Sequence, residues 1–352
     1  MRVRVGHGRT SHVRDLGQAI FGLIAGGAII VTSHPVLACT SANCTLLTRT
    51  DGPSLARGSF RVDVGWRFVE QDARRYEDAP LAVEGALEAP VLRPRVDFAG
   101  GRLLPNFHQE FAARQTALQV DVAYGLTTRL SSVVSVPLRS RYAVDHVFFP
   151  APGVDLHADA GPGPSRQTLA IAGLGDAQIG LRYAVSRAVT GGVAVKLATG
   201  ATDRVDEYGQ IDDPMHQPGT GALGVVGTLQ AAGRLGRVDW LLSGSYQTNG
   251  TSGRGYRFGD EAIVAAGASR RIAGAWTATL LAKGQHAARN RFDGTDSPST
   301  GATLVSIAPG FRVQLPRSGT LYASAQLPVY RSVNEGQLAA RVIVAVGLAA
   351  AF

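Results

Sequence analysis

The sequence predicts an all-β transmembrane barrel, an antiparallel up-and-down sheet of about twelve strands with both chain ends in the periplasm. Three observations predict it. Apolar and polar residues alternate with a period of two, long and short connections alternate along the chain, and the last residues form an apolar strand that ends at Phe352. Beyond its first residues the chain has no apolar run long enough for a transmembrane helix, and such a chain crosses a membrane only as a closed barrel.

Residues 1–38 are typical of a signal peptide. Four arginines and one aspartate precede an apolar stretch, 19–31, that is too short to span a bilayer comfortably. The small-residue pattern Val36-Leu37-Ala38 places the mature start at Cys39. Loss of those four arginines and one aspartate lowers the formal net charge from +8 to +5. Because the remaining arginines are dispersed, we expect no nucleic acid partner.

A short periplasmic segment, 39–58, precedes the predicted barrel, 59–352, and holds Cys39 and Cys44. In an oxidising compartment the two thiols could close as a disulfide. The stretch Val36-Leu37-Ala38-Cys39 also fits a lipobox, which would make Cys39 a lipidation site. Two thiolates could contribute to a metal site only with further ligands. These alternatives stay open, and the sequence predicts no metal site and no cofactor.

The barrel strands are predicted from segments that place apolar residues on one face and polar residues on the other. In the first segment, Phe60, Val62, Val64, Trp66 and Phe68 share one parity. The same alternation recurs around 118–124, 134–142, 178–183, 193–197 and 240–247. We expect interfacial girdles from aromatic residues near strand ends, among them Trp66, Tyr124, Tyr142, Tyr183, Trp240, Tyr246 and Phe311.

The connections alternate in length. Long polar stretches fall at about 70–107, 143–167, 199–218, 250–258, 287–300 and 331–336, and tight turns fall near 125–129, 186–191, 233–237, 272–275 and 316–319. Long loops outside and short turns in the periplasm are typical of outer-membrane barrels. We expect the first long loop, with Pro80, Pro90, Pro94 and Pro105, to fold inward as a constriction or to carry selectivity.

The last strand carries Val342, Val344, Val346 and Leu348 on one parity and ends at Phe352. It resembles the C-terminal sorting strand of bacterial outer-membrane barrels. The resemblance implies that Phe352 is an assembly signal, that the barrel-assembly machinery and outer-membrane lipid are partners, and that the chain resides in the bacterial outer membrane.

Charged residues on the polar parity are the candidates for lining the lumen. They are Arg61, Asp63, Arg67, Asp121, Arg139, Arg141, Asp176, Arg182, Lys196 and Asp239. These side chains would either line a water-filled, anion-favouring channel or pair with one another and leave no pore, because a barrel of this size has limited free lumen. Both alternatives stay open.

The stretch Gly173-Leu174-Gly175-Asp176-Ala177-Gln178-Ile179-Gly180-Leu181-Arg182-Tyr183 resembles the glycine-rich strand of the phenol meta-pathway outer-membrane transporter family. Stretches 196–200, 217–221, 327–331 and 334–338 are similar to other parts of that family. The resemblance covers the chain from about 170 to its end. It implies passive passage of small, hydrophobic or aromatic molecules whose identity the sequence does not specify.

The sequence predicts no enzyme and no catalytic residue. Gly173, Gly175 and Gly180 could suggest a dinucleotide loop, but the period-two pattern continues where a helix should begin. The alternatives to a channel are a structural barrel and an outer-membrane lipid hydrolase. A hydrolase would need a serine and a histidine together, and the candidate pairs are Ser140 with His146 and Ser245 with His286. We expect the dispersed histidines His108, His146, His157, His216 and His286 to be surface residues.

Overall fold

A computed structural model describes residues 55–76, 79–80, 95–97, 102–104, 108–148, 165–205, 211–297, 299–316, 318–334 and 336–352. The predicted signal peptide, Cys39, Cys44 and most of the first long loop lie outside these ranges. No helix in this described part of the chain is long and apolar enough to cross a membrane.

Twelve long antiparallel strands of the described residues form one closed sheet. They are β1 Phe60–Tyr76, β2 His108–Gly125, β3 Leu130–Phe148, β4 in two segments Ser165–Gly173 and Gln178–Ala184, β5 Val189–Lys196, β6 Gly224–Leu235, β7 Val238–Asn249, β8 Glu261–Ala273, β9 Trp276–Ala287, β10 Ala302–Gln314, β11 Gly319–Val333 and β12 Gly336–Ala351. Shorter strands are Ala79–Pro80, Arg95–Asp97, Arg102–Leu104, Tyr256–Arg257, Arg291–Phe292 and Thr295–Asp296.

The sheet closes where the first strand meets the last. Strands β1 and β12 pair from Arg61 opposite Ala351 to Tyr76 opposite Gly336. The amide of Phe60 donates to the carbonyl of Phe352 at 3.0 Å, and the amide of Phe352 donates back to Phe60 at 2.8 Å. Closure leaves no unpaired edge, which is the condition for placing strands in lipid. The predicted twelve-stranded barrel is confirmed.

The connections follow the predicted alternation. Short turns at 126–129, 185–188, 236–237, 274–275 and 315–318 all lie at one end of the barrel, together with Phe60 and Phe352. We call this the short-turn end and the opposite one the long-loop end. Strands β1 and β3 extend to Tyr76 and Phe148, past the start of the predicted first and second long loops. The assignment of the chain ends to the periplasm stays a prediction.

Side chains of the two parities have opposite surroundings. On β1, Val64 and Trp66 are 40% and 42% exposed, whereas Asp63 and Arg67 are 1% and 7% exposed. Exposed Leu, Ile, Val and aromatic side chains recur on the same face of most strands. The outer surface is therefore an apolar belt suited to hydrocarbon, and the polar parity faces the lumen.

Aromatic residues cluster on the outer face at the short-turn end. Tyr124 packs against Phe60 with ring centroids 4.6 Å apart, and Phe311 packs against Trp276 at 5.4 Å. Tyr183 and Trp240 are exposed on the same face. This ring agrees with the predicted girdle. Trp66 lies farther along the outer face, and the Tyr246 hydroxyl donates to Asp260 beside the long-loop end.

A β-bulge in β3 changes which of its side chains face the lumen, so part of the predicted side-chain facing is wrong. Leu118 of β2 pairs with Arg139, but the next residue, Gln119, pairs with Pro137, so Leu138 is an extra residue. The extra residue reverses the parity beyond it. The predictions that Arg139 and Arg141 face inward are wrong, because both are exposed on the outer face. The prediction that Tyr142 belongs to the girdle is also wrong, because it faces the lumen.

The facing of β12 can be tested by adding a charge at Val344 and by removing one at Arg341, which is the extra residue of a β-bulge opposite Glu70 and Gln71. Val344 lies opposite Phe68 on the outer face near the middle of the strand. Val344→Arg should destabilise the barrel by about 2 to 4 kcal/mol, because it puts a charge into hydrocarbon. Arg341→Gln, which removes a mostly exposed bridge to Asp72, should change stability by less than about 1 kcal/mol. Folding titrations in lipid vesicles measure both, and equal losses would contradict the assignment.

Candidate functional site

The barrel wall is interrupted between β3 and β4. The ladder joins Ser140 to Gly173 and resumes only where Ser135 meets Gln178. Between these pairs, residues 174–177 leave the strand conformation. A backbone hydrogen bond crosses this gap, in which the Gly175 amide donates to the Pro137 carbonyl at 3.0 Å. Proline has no amide hydrogen to donate, and the Leu138 bulge adjoins it, so β3 itself favours the break.

The backbone freed by this break is satisfied from inside the barrel. We call residues 197–223, which connect β5 to β6, the inward loop; 206–210 are outside the described residues. The Leu197 amide donates to the Ala177 carbonyl at 2.7 Å, and the Ala201 amide donates to the Leu174 carbonyl at 2.9 Å. The Ala177 amide donates to the Thr199 hydroxyl. The loop thus replaces β3 as the partner of the broken segment.

A buried ion pair fixes the inward loop to the break. The Lys196 ammonium lies 3.0 Å from the Asp176 carboxylate, and these side chains are 1% and 6% exposed. The other Asp176 oxygen accepts from the Gly200 amide, while the paired one also accepts from the amide and hydroxyl of Thr220. Lys196 additionally donates to the Ala222 carbonyl. Such full hydrogen bonding is what allows two buried charges to persist.

Two glycines let the loop approach the wall and itself closely. A Cβ on Gly200 would lie 2.5 Å from the Cα of Gly219, which is too close for any side chain. A Cβ on Gly173 would meet the Pro218 ring at 3.0 Å. Close packing therefore accounts for glycine at positions 173 and 200.

A buried histidine holds the tip of the inward loop. His216 stacks on Tyr142 with ring centroids 4.6 Å apart, and its Nδ1 lies 2.7 Å from Asp212. Its Nε2 lies 3.8 Å from Glu110 on β2. Burial opposes the charged form, but the Asp212 and Glu110 carboxylates outweigh it and raise the pKa of His216 to about 10. The expectation that His216 is a surface residue is wrong.

The loops at the long-loop end form a small apolar cap. Tyr256 and Phe292 are buried together, and Met215 of the inward loop packs against them. Arg254 donates to the Thr202 carbonyl, and Asn290 donates to the Tyr256 hydroxyl at 2.7 Å. The inward loop is therefore held by the neighbouring loops at the long-loop end as well as by the barrel wall.

Polar networks fill the lumen elsewhere. Asp63 and Asp121 lie opposite each other on β1 and β2. Tyr322 donates to Asp63 at 2.8 Å, and Gln119 and Ser135 both donate to Asp121. Farther along, Arg67 and Lys283 interact electrostatically with the same carboxylate, Glu261, whose side chain also accepts from Gln285 at 2.6 Å.

The remaining predicted lumen residues occupy three kinds of place. Arg182 faces inward and donates to Gln230 at 3.2 Å. Asp239 bridges Arg234 at 2.6 Å beside the short-turn end, partly in solvent. Arg61 shares the inner parity of Asp63. Asp176 faces inward from the break, outside any strand.

Sequence reasoning missed Glu261, Lys283, Gln119 and Tyr322, which share these networks. A signal existed, because Lys196 and Lys283 are the two lysines of the chain and both lie in alternating segments. Both are buried in the lumen, whereas many arginines are exposed.

The half of the lumen toward the long-loop end is partly apolar. Ala113, Val144, Leu169, Ile171 and Leu338 pack there as one cluster, with Tyr142 against it. Two small spaces lie among the described lumen residues, one of about 20 Å³ beside Arg67 and Gln285 and one of about 60 Å³ beneath the break. Each has room for one or a few water molecules, since about 10 to 15 Å³ of cavity volume suffices for one.

The structure describes one of the two candidate Ser–His pairs of a hydrolase, Ser245 with His286, and does not bring its side chains together. Ser245 lies opposite Ile263 on the inner face, whereas His286 lies opposite Ala262 on the outer face. The His146 side chain lies outside the described residues. Among described residues, no three His, Cys, Asp or Glu side chains gather where they could hold a metal ion.

Comparisons with known proteins agree with the architecture. No family model matches the chain, and no curated protein matches it. The outer membrane channel COG4313 of Pseudomonas putida F1 is similar over 86% of this chain and 99% of its own, with a TM-score of 0.56 and 11% identity. The toluene transporter TbuX of Ralstonia pickettii is similar over 86% and 92%, with a TM-score of 0.42 and 11% identity. The first of these similarities shows that the chain shares the β-barrel fold of that protein.

The buried ion pair gives the first prediction for the site. Asp176→Asn leaves the Lys196 ammonium buried without a counter-ion, so it should cost about 3 to 5 kcal/mol and release the inward loop. Conductance in planar bilayers should rise, and the folded form should melt earlier on a heat-modifiability gel. Asp239→Asn, which breaks a partly exposed pair, is the matched control and should change stability by less than about 1 kcal/mol. Identical behaviour of the two variants would contradict the anchoring role.

The histidine gives a pH prediction. Because the pKa of His216 is raised on folding, its contribution is complete below the ordinary value of 6.5 and is lost as the pH rises through about 10. The melting temperature should fall across this window by more than in His216→Gln, with a loss of at most a few kcal/mol. His286→Gln, on the outer face, should retain the wild-type pH profile. Parallel profiles for wild type and His216→Gln would show that the charge does not hold the loop.

Proposed function

We propose that this protein is a channel of the bacterial outer membrane that lets small hydrophobic or aromatic molecules cross passively. The observation that carries the proposal is the interruption of the wall between β3 and β4 together with the loop that seals it from inside.

The physical argument starts from the energy of an unpaired backbone. In hydrocarbon, each unsatisfied amide or carbonyl costs several kcal/mol, so a barrel tolerates irregular backbone only where protein or a cavity adjoins it. A purely structural barrel gains nothing from such a break. A channel does, because withdrawal of the inward loop would open the lumen and expose a gap toward the membrane.

The surroundings of the break suit an apolar solute. Leu138 and Leu174 are exposed on the outer face beside it. Inside, Val144, Leu169 and Ile171 of β3 and β4 pack in an apolar cluster that withdrawal of the inward loop would uncover. We propose that a solute follows this apolar surface and leaves through the lumen or the gap. The fold shared with the COG4313 outer membrane channel supports a channel over a structural barrel.

The partners follow from the same proposal. Outer-membrane lipid would cover the apolar belt, and the barrel-assembly machinery would recognise β12 with Phe352, whose side chain is 77% exposed. We propose no enzymatic activity. We propose instead that the inward loop, the Asp176–Lys196 pair and His216 control access to the lumen.

Uptake by intact Gram-negative cells tests the function. Cells that express the chain should take up radiolabelled toluene several-fold faster than cells with an empty vector, with an initial rate unchanged by an uncoupler because the passage is passive. Sucrose uptake should not increase, since the seated loop leaves only small polar spaces. Cells that express Arg139→Gln, altered only on the outer face, serve as the matched control and should behave as wild type. No increase in toluene uptake by correctly folded protein would contradict the proposal.

A further inference from the structure

A cavity lies in the lumen directly beneath the wall break. Its enclosed part measures about 60 Å³ and opens into a wider space. Ser135 and Gln178, the pair at which the β3–β4 ladder resumes, lie at the end of the cavity next to the break. The rest of its lining is mostly apolar, with polar side chains such as Thr190, Thr228 and Ser243 of strands β5, β6 and β7 among it. A solute that passes the inward loop therefore meets this cavity next.

Two side chains in the cavity wall hold polar atoms without a partner. Within the described chain, neither Nε2 of Gln178 nor Oγ of Ser243 has a hydrogen-bond partner, although both atoms are buried. Gln178 as a whole is only 2% exposed. A buried donor left unsatisfied costs about 1 to 3 kcal/mol, so native proteins keep such groups where a ligand or water uses them. Both atoms line the same small space.

The cavity also has a definite electrostatic character. Arg182 is its sole charged lining residue, and no Asp or Glu lines it. The guanidinium donates to Gln230 at 3.2 Å, which orients it along the wall. The cavity wall thus brings a guanidinium, the Gln178 amide and the Ser243 hydroxyl to one space.

We propose that this cavity binds the carboxylate group of a small aromatic acid during its passage. The enclosed part matches the size of a carboxylate, and the ring would extend into the wider space toward Val133 and Val226. A guanidinium with added amide and hydroxyl donors is the usual protein partner of a carboxylate. The inference rests on the proposed channel function and adds small aromatic acids to its substrates.

Isothermal titration of the refolded full chain in non-ionic detergent tests the inference, with benzoate as the probe and benzyl alcohol as its neutral counterpart. At neutral pH, benzoate should bind at least about tenfold more tightly than benzyl alcohol. Arg182→Gln should weaken benzoate binding by about ten- to hundredfold, because hydrogen bonds to charged groups are lost. It should leave benzyl alcohol unaffected. Arg141→Gln, an exposed arginine on the outer face, is the matched control and should bind benzoate as wild type does.

A second variant guards against misfolding of the first. Ser243→Ala removes one unpartnered hydroxyl with little change in volume, and it should weaken benzoate binding several-fold. Equal affinities for the two probes, no benzoate binding, or unchanged binding in both variants would overturn the inference. Toluene uptake by cells is measured separately. Normal toluene uptake without benzoate binding would refute only the carboxylate site, whereas loss of both would refute the channel.

Discussion

The whole structure depends on one constraint, that every backbone amide and carbonyl placed in a membrane must be paired within the protein. Eleven sequential pairings and the β1–β12 closure meet this requirement around the barrel. The exception lies between β3 and β4, and there the inward loop takes over the hydrogen bonds of residues 174–177. The loop is therefore part of the wall as well as an obstruction of the lumen. Any movement of the loop must also alter the wall.

The charges inside the barrel follow from the same requirement. The Asp176–Lys196 pair and the His216 cluster are buried, and each is surrounded by hydrogen-bond partners that offset its loss of hydration. Both attach the inward loop to strands of one side of the barrel. Other buried polar atoms of the described residues have no partner, and two of these, on Gln178 and Ser243, line the cavity beneath the break. The proposed solute site uses these two atoms.

The sequence predicted the fold well because period-two alternation and loop-length parity are properties of each strand taken alone. The prediction of which side chains face the lumen failed where pairing with a neighbouring strand decides their direction. The bulge at Leu138 depends on how β3 meets β2, so Arg139, Arg141 and Tyr142 were placed on the wrong faces. The seat of the inward loop depends on contacts such as His216 with Glu110, and strands β2 to β5 lie between these two residues in the sequence. The sequence pointed instead to the first long loop, most of which lies outside the described residues.

The central claim, that the inward loop closes the channel by seating against the break, is tested most directly with a reversible cross-link. A Cβ on Gly173 would lie 3.4 Å from the Cβ of Pro218, close to the separation that a disulfide requires. Gly173→Cys with Pro218→Cys, in a background with Cys39 and Cys44 replaced by serine, should cross-link in the folded barrel. Toluene uptake should stop in the oxidised form and recover on reduction. Failure of the pair to cross-link, or equal uptake by the oxidised and reduced forms, would contradict the account.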